Sequence, residues 1–246
     1  MKRFMTLLKT EGKLSLRCPD SLIFGVGMPV GVLFLISIIA GNQNIAGEHY
    51  TFLQGAFASL VTVGICATAF MGLPITFANY RDKKILKHFF VTPVSPMMML
   101  IVQMILGAMI ASLSAIIITI CSVFIFNYQM NGSLLLFIGG YFLVMLSMYS
   151  IGMIIASLCP SVKIANVVCT FVYFPMLFLS GATIPFEIFP VFIQKIANIL
   201  PLTHGIQLLK NISLGIYNQE MIFSSIFLFV LAIIGCIISI KVFKWE

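Results

Sequence analysis

Hydrophobic residues in this chain do not alternate with polar ones; they run together. Six apolar runs stand out, at Leu22–Ala40, Gly55–Ala78, Met97–Phe126, Leu134–Leu158, Ile164–Leu179 and Met221–Ile240. A helix needs about 20 apolar residues to cross a hydrocarbon core, whereas a transmembrane strand alternates apolar and polar residues over about ten positions. These runs are apolar on every side, so they predict six membrane-spanning helices and no barrel. From Phe89 to Val162 there is no Asp, Glu, Lys or Arg at all. The turn in that stretch is carried by Asn127–Ser133, whose Asn131-Gly132 pair is good turn chemistry. The next break, Cys159-Pro160-Ser161-Val162-Lys163, removes a helix hydrogen bond at Pro160 and keeps Lys163 out of hydrocarbon, where it would cost about 2.5–3.5 kcal/mol.

Composition agrees with the pattern. Hydrophobic residues make up 61% and charged residues 9% of the 246, with a mean hydropathy of +1.12, against about 25% charged in soluble domains. The segment before the first run is too long and too amphipathic for a cleavable signal, so the first span is expected to stay in the protein. In Met1–Arg17, Phe4, Leu7, Leu8, Leu14 and Leu16 alternate with Lys2, Arg3, Lys9, Lys13 and Arg17, which suits an amphipathic helix lying in the membrane interface over residues 1–20. With that end inside, Arg81, Lys83, Lys84, Lys87, Lys163, Lys241 and Lys244 also fall inside; only Lys195 and Lys210 of the fourteen basic residues fall outside. Basic residues are retained on the cytoplasmic side, so both termini are expected there, in the cell membrane. The net charge of +7 then reflects topology and attraction to anionic lipid, and nucleic acid is not an expected partner. Cys66, Cys121, Cys169 and Cys236 lie in apolar runs and Cys18 and Cys159 at cytoplasmic span ends, so neither a disulfide framework nor a metal site is implied.

Two interruptions carry the functional signal. The first is the loop at residues 79–93, between the second and third spans. Here Ile85, Leu86, Phe89 and Phe90 fall on one face of a short helix and the basic residues on the other, with Pro93 as the stop. Such a helix suits docking into a groove on a soluble partner, although an ordinary positive-inside loop would also carry these charges. The chain has no G-x-x-x-x-G-K-[ST] phosphate loop, so an ATP-driven process would need its motor on another polypeptide. Arg81-Asp82-Lys83, an apolar stretch and Thr92-Pro93-Val94-Ser95 resemble the loop of type-2 ABC exporter permeases, roughly Arg-Glu-Arg-Gly-Thr followed by Thr-Pro-Val-Ser. Lys84 and Ile85 stand where that family usually has Gly and Thr. The resemblance implies a coupling helix that meets a nucleotide-binding subunit, with Arg81, Asp82, Lys83, Ile85, Leu86, Phe89, Phe90 and Pro93 in that contact.

The second interruption is residues 181–215, between the fifth and sixth spans. Pro190 suits a first helical position, and the helix that it opens and that runs on through Val191 to Leu200 would be only about 16 Å long, too short to cross. Pro201 ends it, Thr203 can cap a second short helix, and Gly215 suits that helix's C-terminal cap. Ser180, Gly181, Ala182, Pro185, Pro190, Leu200, Pro201, Leu202, Thr203 and Lys210 resemble the same family's outer segment, with Lys210 where Arg is more usual. The resemblance implies a re-entrant outer gate, with Glu187, Lys195 and His204 facing water or head groups; a hairpin lying on the surface is the other arrangement the residues permit.

The expected architecture is therefore a single all-α polytopic permease domain, 1–246, with six transmembrane helices, an N-terminal amphipathic interfacial helix, a cytoplasmic coupling helix and two short re-entrant outer helices. As the family implies, two permease subunits would pair with two separate ATPase subunits, and ATP and Mg would bind on those partners, with no cofactor on this chain. Glycines at 25, 27, 31, 64 and 72 would permit close helix approach. A proton-coupled carrier usually needs ionisable groups in the membrane, and these spans contain none. An intramembrane enzyme has less support, because His49, His88 and His204 sit in separate loops. Charge-free spans suit an apolar or amphipathic cargo such as a drug, antibiotic peptide or lipid, the cargo of the efflux branch the chain most resembles. Polysaccharide or lipid-linked glycan export is the alternative; a secondary transporter or channel is a further one, since polar side chains such as Asn166 and backbone carbonyls could still bind an ion. The charge asymmetry predicts that a cysteine in place of Lys195 reacts with an impermeant thiol reagent on intact cells; labelling only after permeabilisation would contradict the topology.

Overall fold

The computed structural model describes residues 2–17, 22–40, 43, 50–85, 96–183 and 186–242. Among these the chain is helical, and five helices are long and apolar enough to cross a membrane. Helix α1 is Lys2–Arg17; α2 opens with a π turn, Ile23–Gly27, and continues as Met28–Ala40; α3 runs unbroken over Phe52–Asp82. Then come α4 (Pro96–Phe124), α5 (Leu134–Leu158) and α6 (Val162–Leu179). The single turn Phe186–Ile188 precedes two short helices, α7 (Val191–Ala197) and α8 (Pro201–Leu214), and α9 (Gln219–Val242) closes the series. The crossing helices are α3, α4, α5, α6 and α9. At the first expected span the apolar helix, Ile23–Ile39, is shorter than the other five.

The bundle is organised around α3. Its apolar stretch is 83% buried, against 22% for α4 and α9. Every residue from Phe57 to Phe70 is buried, which is possible because Ala58, Ser59, Gly64, Ala67 and Ala69 let neighbouring backbones close in. A capping box starts the helix: the Gln54 N–H donates to Thr51 Oγ1 at 3.3 Å and the Thr51 N–H to Gln54 Oε1 at 2.9 Å.

Two π turns, in α2 and at Thr68–Gly72 of α3, each lie just ahead of a proline, Pro29 and Pro74. Proline lacks the N–H and its ring crowds the carbonyl four residues back, so the preceding turn widens. The widened turns lie against each other. A Cβ on Gly25 would come within 2.9 Å of Thr68 Cγ2, and one on Gly64 within 3.3 Å of the Gly25 carbonyl oxygen. Thr68 Oγ1 donates back to the Gly64 and Ile65 carbonyls at 3.1 and 3.0 Å and accepts from the Tyr149 hydroxyl at 2.7 Å. The expected close approach therefore falls to Gly25 and Gly64. Gly31 and Gly72 have open space, and Gly27 has only the Leu22 carbonyl at 4.0 Å.

Helix α5 packs between α3 and α9, with Gly152 against the Ala69 backbone and Gly235 of α9 against Ser150. The turn between α4 and α5 docks on the end of α8, where the Asn131 and Gly132 N–H groups donate to the Ser213 carbonyl at 3.1 and 3.2 Å. Helix α1 lays Phe4, Leu7 and Leu8 on Met98, Val102 and Leu106 of α4, while Leu14 is half exposed. A Cβ on Gly152 would run into the Ala69 carbonyl oxygen, whereas Gly139 on the same helix faces open space. Gly152→Ala should therefore cost about 1–3 kcal/mol of unfolding free energy in detergent. Gly139→Ala should be neutral or stabilise by up to about 1 kcal/mol; equal effects would contradict the packing.

Candidate functional site

The charged end of α3 carries Arg81 and Asp82 of the first motif, next to Tyr80. Three consecutive residues there each grip a different part of the bundle. The Tyr80 hydroxyl donates to the Glu11 carboxylate of α1, and Gln103 Nε2 of α4 donates to the same carboxylate oxygen at 2.7 Å. Glu11 is only 6% exposed, and a buried carboxylate is tolerated when hydrogen-bonded in this way. Arg81 donates from one terminal nitrogen to the carbonyls of Ala156 and Cys159, both at 2.6 Å, and from the other to that of Ser157 at 3.3 Å. These carbonyls lie at the C-terminus of α5, where the last turn lacks intrahelical donors and carries partial negative charge. Asp82 Oδ2 accepts from the Val162 N–H at 2.9 Å, and Ser161 Oγ accepts from the Ile164 N–H at 3.4 Å. Two orphan donors at the start of α6 are thus satisfied, one by α3 and one locally.

The expected coupling helix begins differently from the sequence pattern. Arg81 and Asp82 form the last turn of α3, Lys83 is its C-terminal cap, and Lys84 has a left-handed φ of 55°. Ile85 is helical again and packs on the central core. Leu86, Phe89, Phe90 and Pro93 lie outside the described residues. Lys83 and Lys84 are exposed, whereas Arg81 is half-buried. Glu11, Tyr80 and Gln103 were not singled out in the sequence. Glu11 did carry a signal, since it shares a face with Phe4, Leu7 and Leu8 at helical spacing.

At the other end of α3, part of the second motif lines a cavity of about 470 Å³. Its walls come from the end of α2, the start of α3, the residues after α6, and α8. Ser180, Gly181 and Lys210 line it together with Ser59, Gln207 and Asn211. Gly181 has a φ of 87°, its carbonyl accepts from Ser59 Oγ at 3.4 Å, and Ser180 is buried at the C-cap of α6. Lys210 Nζ donates to the Tyr50 hydroxyl at 2.7 Å. Ala182 lines the cavity as well. Glu187 sits in the turn Phe186–Ile188, and Pro190 is the N-cap of α7, one place earlier than expected. Pro185 lies outside the described residues.

Two details correct the sequence reading. Thr203 does not cap α8, because Pro201 already occupies its first turn behind an N-cap at Leu200; Thr203 is fully buried. His204 does not face water or head groups. It is 5% exposed, with its ring 4.4 Å from that of Phe227, Nδ1 3.2 Å from Ser224 Oγ and Nε2 3.0 Å from the Asn198 carbonyl. Burial lowers its pKa, with the Asn198 carbonyl pulling the other way, so the imidazole is neutral at pH 7. Gly215 does cap α8, with a φ of 76°. Lys195 is exposed. Among the described residues no three His, Cys, Asp or Glu side chains could hold a metal ion.

A family model described as "ABC-2 type transporter" matches residues 2–214. Nodulation protein J of Rhizobium meliloti is 30% identical over 196 residues, covering 80% of this chain and 72% of that protein. Nodulation protein J of Neorhizobium galegae is 29% identical over 197 residues, covering 80% and 71%. A probable multidrug ABC transporter permease, YbhR, of Escherichia coli K12 is 24% identical over 185 residues, covering 75% of this chain and 49% of that protein.

The grip of Arg81 depends on its planar fork, which a lysine cannot reproduce. Arg81→Lys should therefore lower the unfolding free energy by about 2 kcal/mol, the value of a charge-assisted hydrogen bond, while Lys83→Ala stays within about 0.5 kcal/mol of the parent. Chemical denaturation in micelles checks this, and equal costs would contradict the assignment.

Proposed function

The chain belongs to the ABC-2 type transporter family, and from that premise we propose that it is the membrane-spanning permease of an ATP-binding cassette exporter. The observation that carries this reading is the junction at Tyr80–Asp82. A helix that runs through the middle of the bundle ends by gripping four other helices, and directly beyond it the exposed Lys83 and Lys84 begin the segment that resembles a coupling helix. A motor pressing there would act on the whole bundle at once. ATP and Mg bind on that separate ATPase subunit, and this chain does no covalent chemistry. Its role is to hold inward- and outward-favouring packings whose balance the motor biases.

The cargo is hydrophobic or amphipathic: a drug, antibiotic peptide or lipid. Crossing helices without charged residues in their apolar cores and a cavity with both apolar and polar walls support this class. A second permease subunit completes the assembly. Helix α7 supports the pairing and the re-entrant placement alike, since it packs on α6 and exposes Val191 and Phe192, while α6 exposes Phe171, Phe174 and Phe178, apolar surface that needs hydrocarbon or another protein to cover it. Both termini are cytoplasmic in the cell membrane, and residues 181–215 lie on the outer side.

Export from proteoliposomes should require a partner ATPase and stop when the lysine of that partner's phosphate loop is replaced; transport by this chain alone under an ion gradient would contradict the proposal. Docking is tested at Lys83 and Lys84, because reversing Arg81 would disrupt folding and binding together. Lys83→Glu with Lys84→Glu should weaken recovery of the ATPase subunit in a pull-down, and unchanged recovery would count against a coupling contact there.

A further inference from the structure

Helix α6 lies antiparallel to α3 and is attached to it at both ends. At one end Asp82 Oδ2 accepts the Val162 N–H at 2.9 Å. At the other, α6 runs without interruption into Ser180 and Gly181, and the Gly181 carbonyl accepts from Ser59 Oγ at 3.4 Å. Between these points α6 packs along α3 through the buried Cys169, Tyr173 and Leu177 and turns its other side outward, so that 28% of its apolar stretch is buried against 83% for α3. A helix of 18 residues is about 27 Å long, and in this one Pro175 removes one ladder hydrogen bond near its far end. It reaches from the charged end of α3 to the cavity at the opposite end of the bundle.

We infer that Asp82 is a positioning residue that fixes the start of α6 to the end of α3, so that displacement beyond Lys84 is delivered along α6 to the Ser180–Gly181 turn and the cavity it lines. The inference rests on the exporter reading for its biological meaning but not for its geometry. Arg81 makes the same joint from the other side. By holding the Ala156, Ser157 and Cys159 carbonyls it fixes the end of α5, and the short connection Cys159–Ser161 then has both of its flanking helix ends tied to α3. The turn moves with α3, and α6 moves with the turn.

The alternative role for Asp82 is a charged contact with the motor. The two roles make opposite demands on the side chain. An N-terminal helix cap needs an acceptor oxygen, and Asn serves nearly as well as Asp; a charge contact needs the charge, and Asn fails as Ala does.

Hydrogen–deuterium exchange on the purified full chain in lipid nanodiscs tests the joint without any partner. Asp82→Ala should speed exchange at the first turn of α6, residues 162–165, by about fivefold, the effect of losing a cap of ~1 kcal/mol. It should also speed exchange at residues 180–183, at the far end. Asp82→Asn should leave both within about twofold. A rise confined to residues 162–165, or Asn behaving as Ala, would overturn the inference. In proteoliposomes containing the partner ATPase, Asp82→Ala should lower the substrate moved per ATP hydrolysed while Asp82→Asn restores it, and equal loss in both variants would overturn the positioning role. If transport proceeds without any ATPase while the exchange pattern holds, the exporter reading fails and the joint stands.

Discussion

A helix that ends inside a membrane protein leaves carbonyls or N–H groups that lipid cannot satisfy, and this bundle depends on how one such pair of ends is satisfied. Helices α5 and α6 meet at a connection, Cys159–Ser161, too short to supply its own partners for both. Arg81 fills the carbonyl side and Asp82 the N–H side, from adjacent positions at the end of α3. The same two charges complement the helix dipoles they face, positive at a C-terminus and negative at an N-terminus. Tyr80 completes the junction by drawing in α1 and α4 through the buried Glu11.

This arrangement explains why α3 is the axis of the molecule. It is the most buried of the crossing helices, the π turn ahead of Pro74 sits beside its counterpart ahead of Pro29, and its two ends carry the two candidate functional regions. At one end are the junction and the exposed lysines; at the other, Ser59 and the cavity bounded by Ser180, Gly181 and Lys210. In a member of the ABC-2 type transporter family, a central helix with a gripping end gives an external motor one place to act.

Much of this was legible in the sequence, for reasons that can be named. Apolar runs bounded by Asn127–Ser133 and Cys159–Lys163 marked the helices, because hydrophobic length and turn chemistry are local properties. Gly215 was legible because a left-handed cap is a local demand. What escaped depended on distant partners. Hydropathy suggested that the second span stops near Ala78, yet the helix continues through Asp82 because the polar residues there find partners on α1, α4, α5 and α6. Glu11 and Lys13 look alike as charges on an amphipathic helix, and only packing against α4 turns Glu11 inward. His204 looked like a head-group residue, but the approach of α9 supplies Ser224 and Phe227 and buries it. Thr203 looked like a cap, and the earlier start at Pro201 left it inside the helix.

The central claim is that the ends of α3, α5 and α6 move as one body under the motor. Spin labels at the exposed positions Lys83 and Lys163, compared between nucleotide-free and ATP-trapped complexes, test it most directly, with a label at the exposed Phe192 of both permeases of the proposed assembly as the reference. The account predicts an unchanged, narrow distance between positions 83 and 163 while the distance between the two labels at 192 shifts. A distance between 83 and 163 that changes with nucleotide would contradict it.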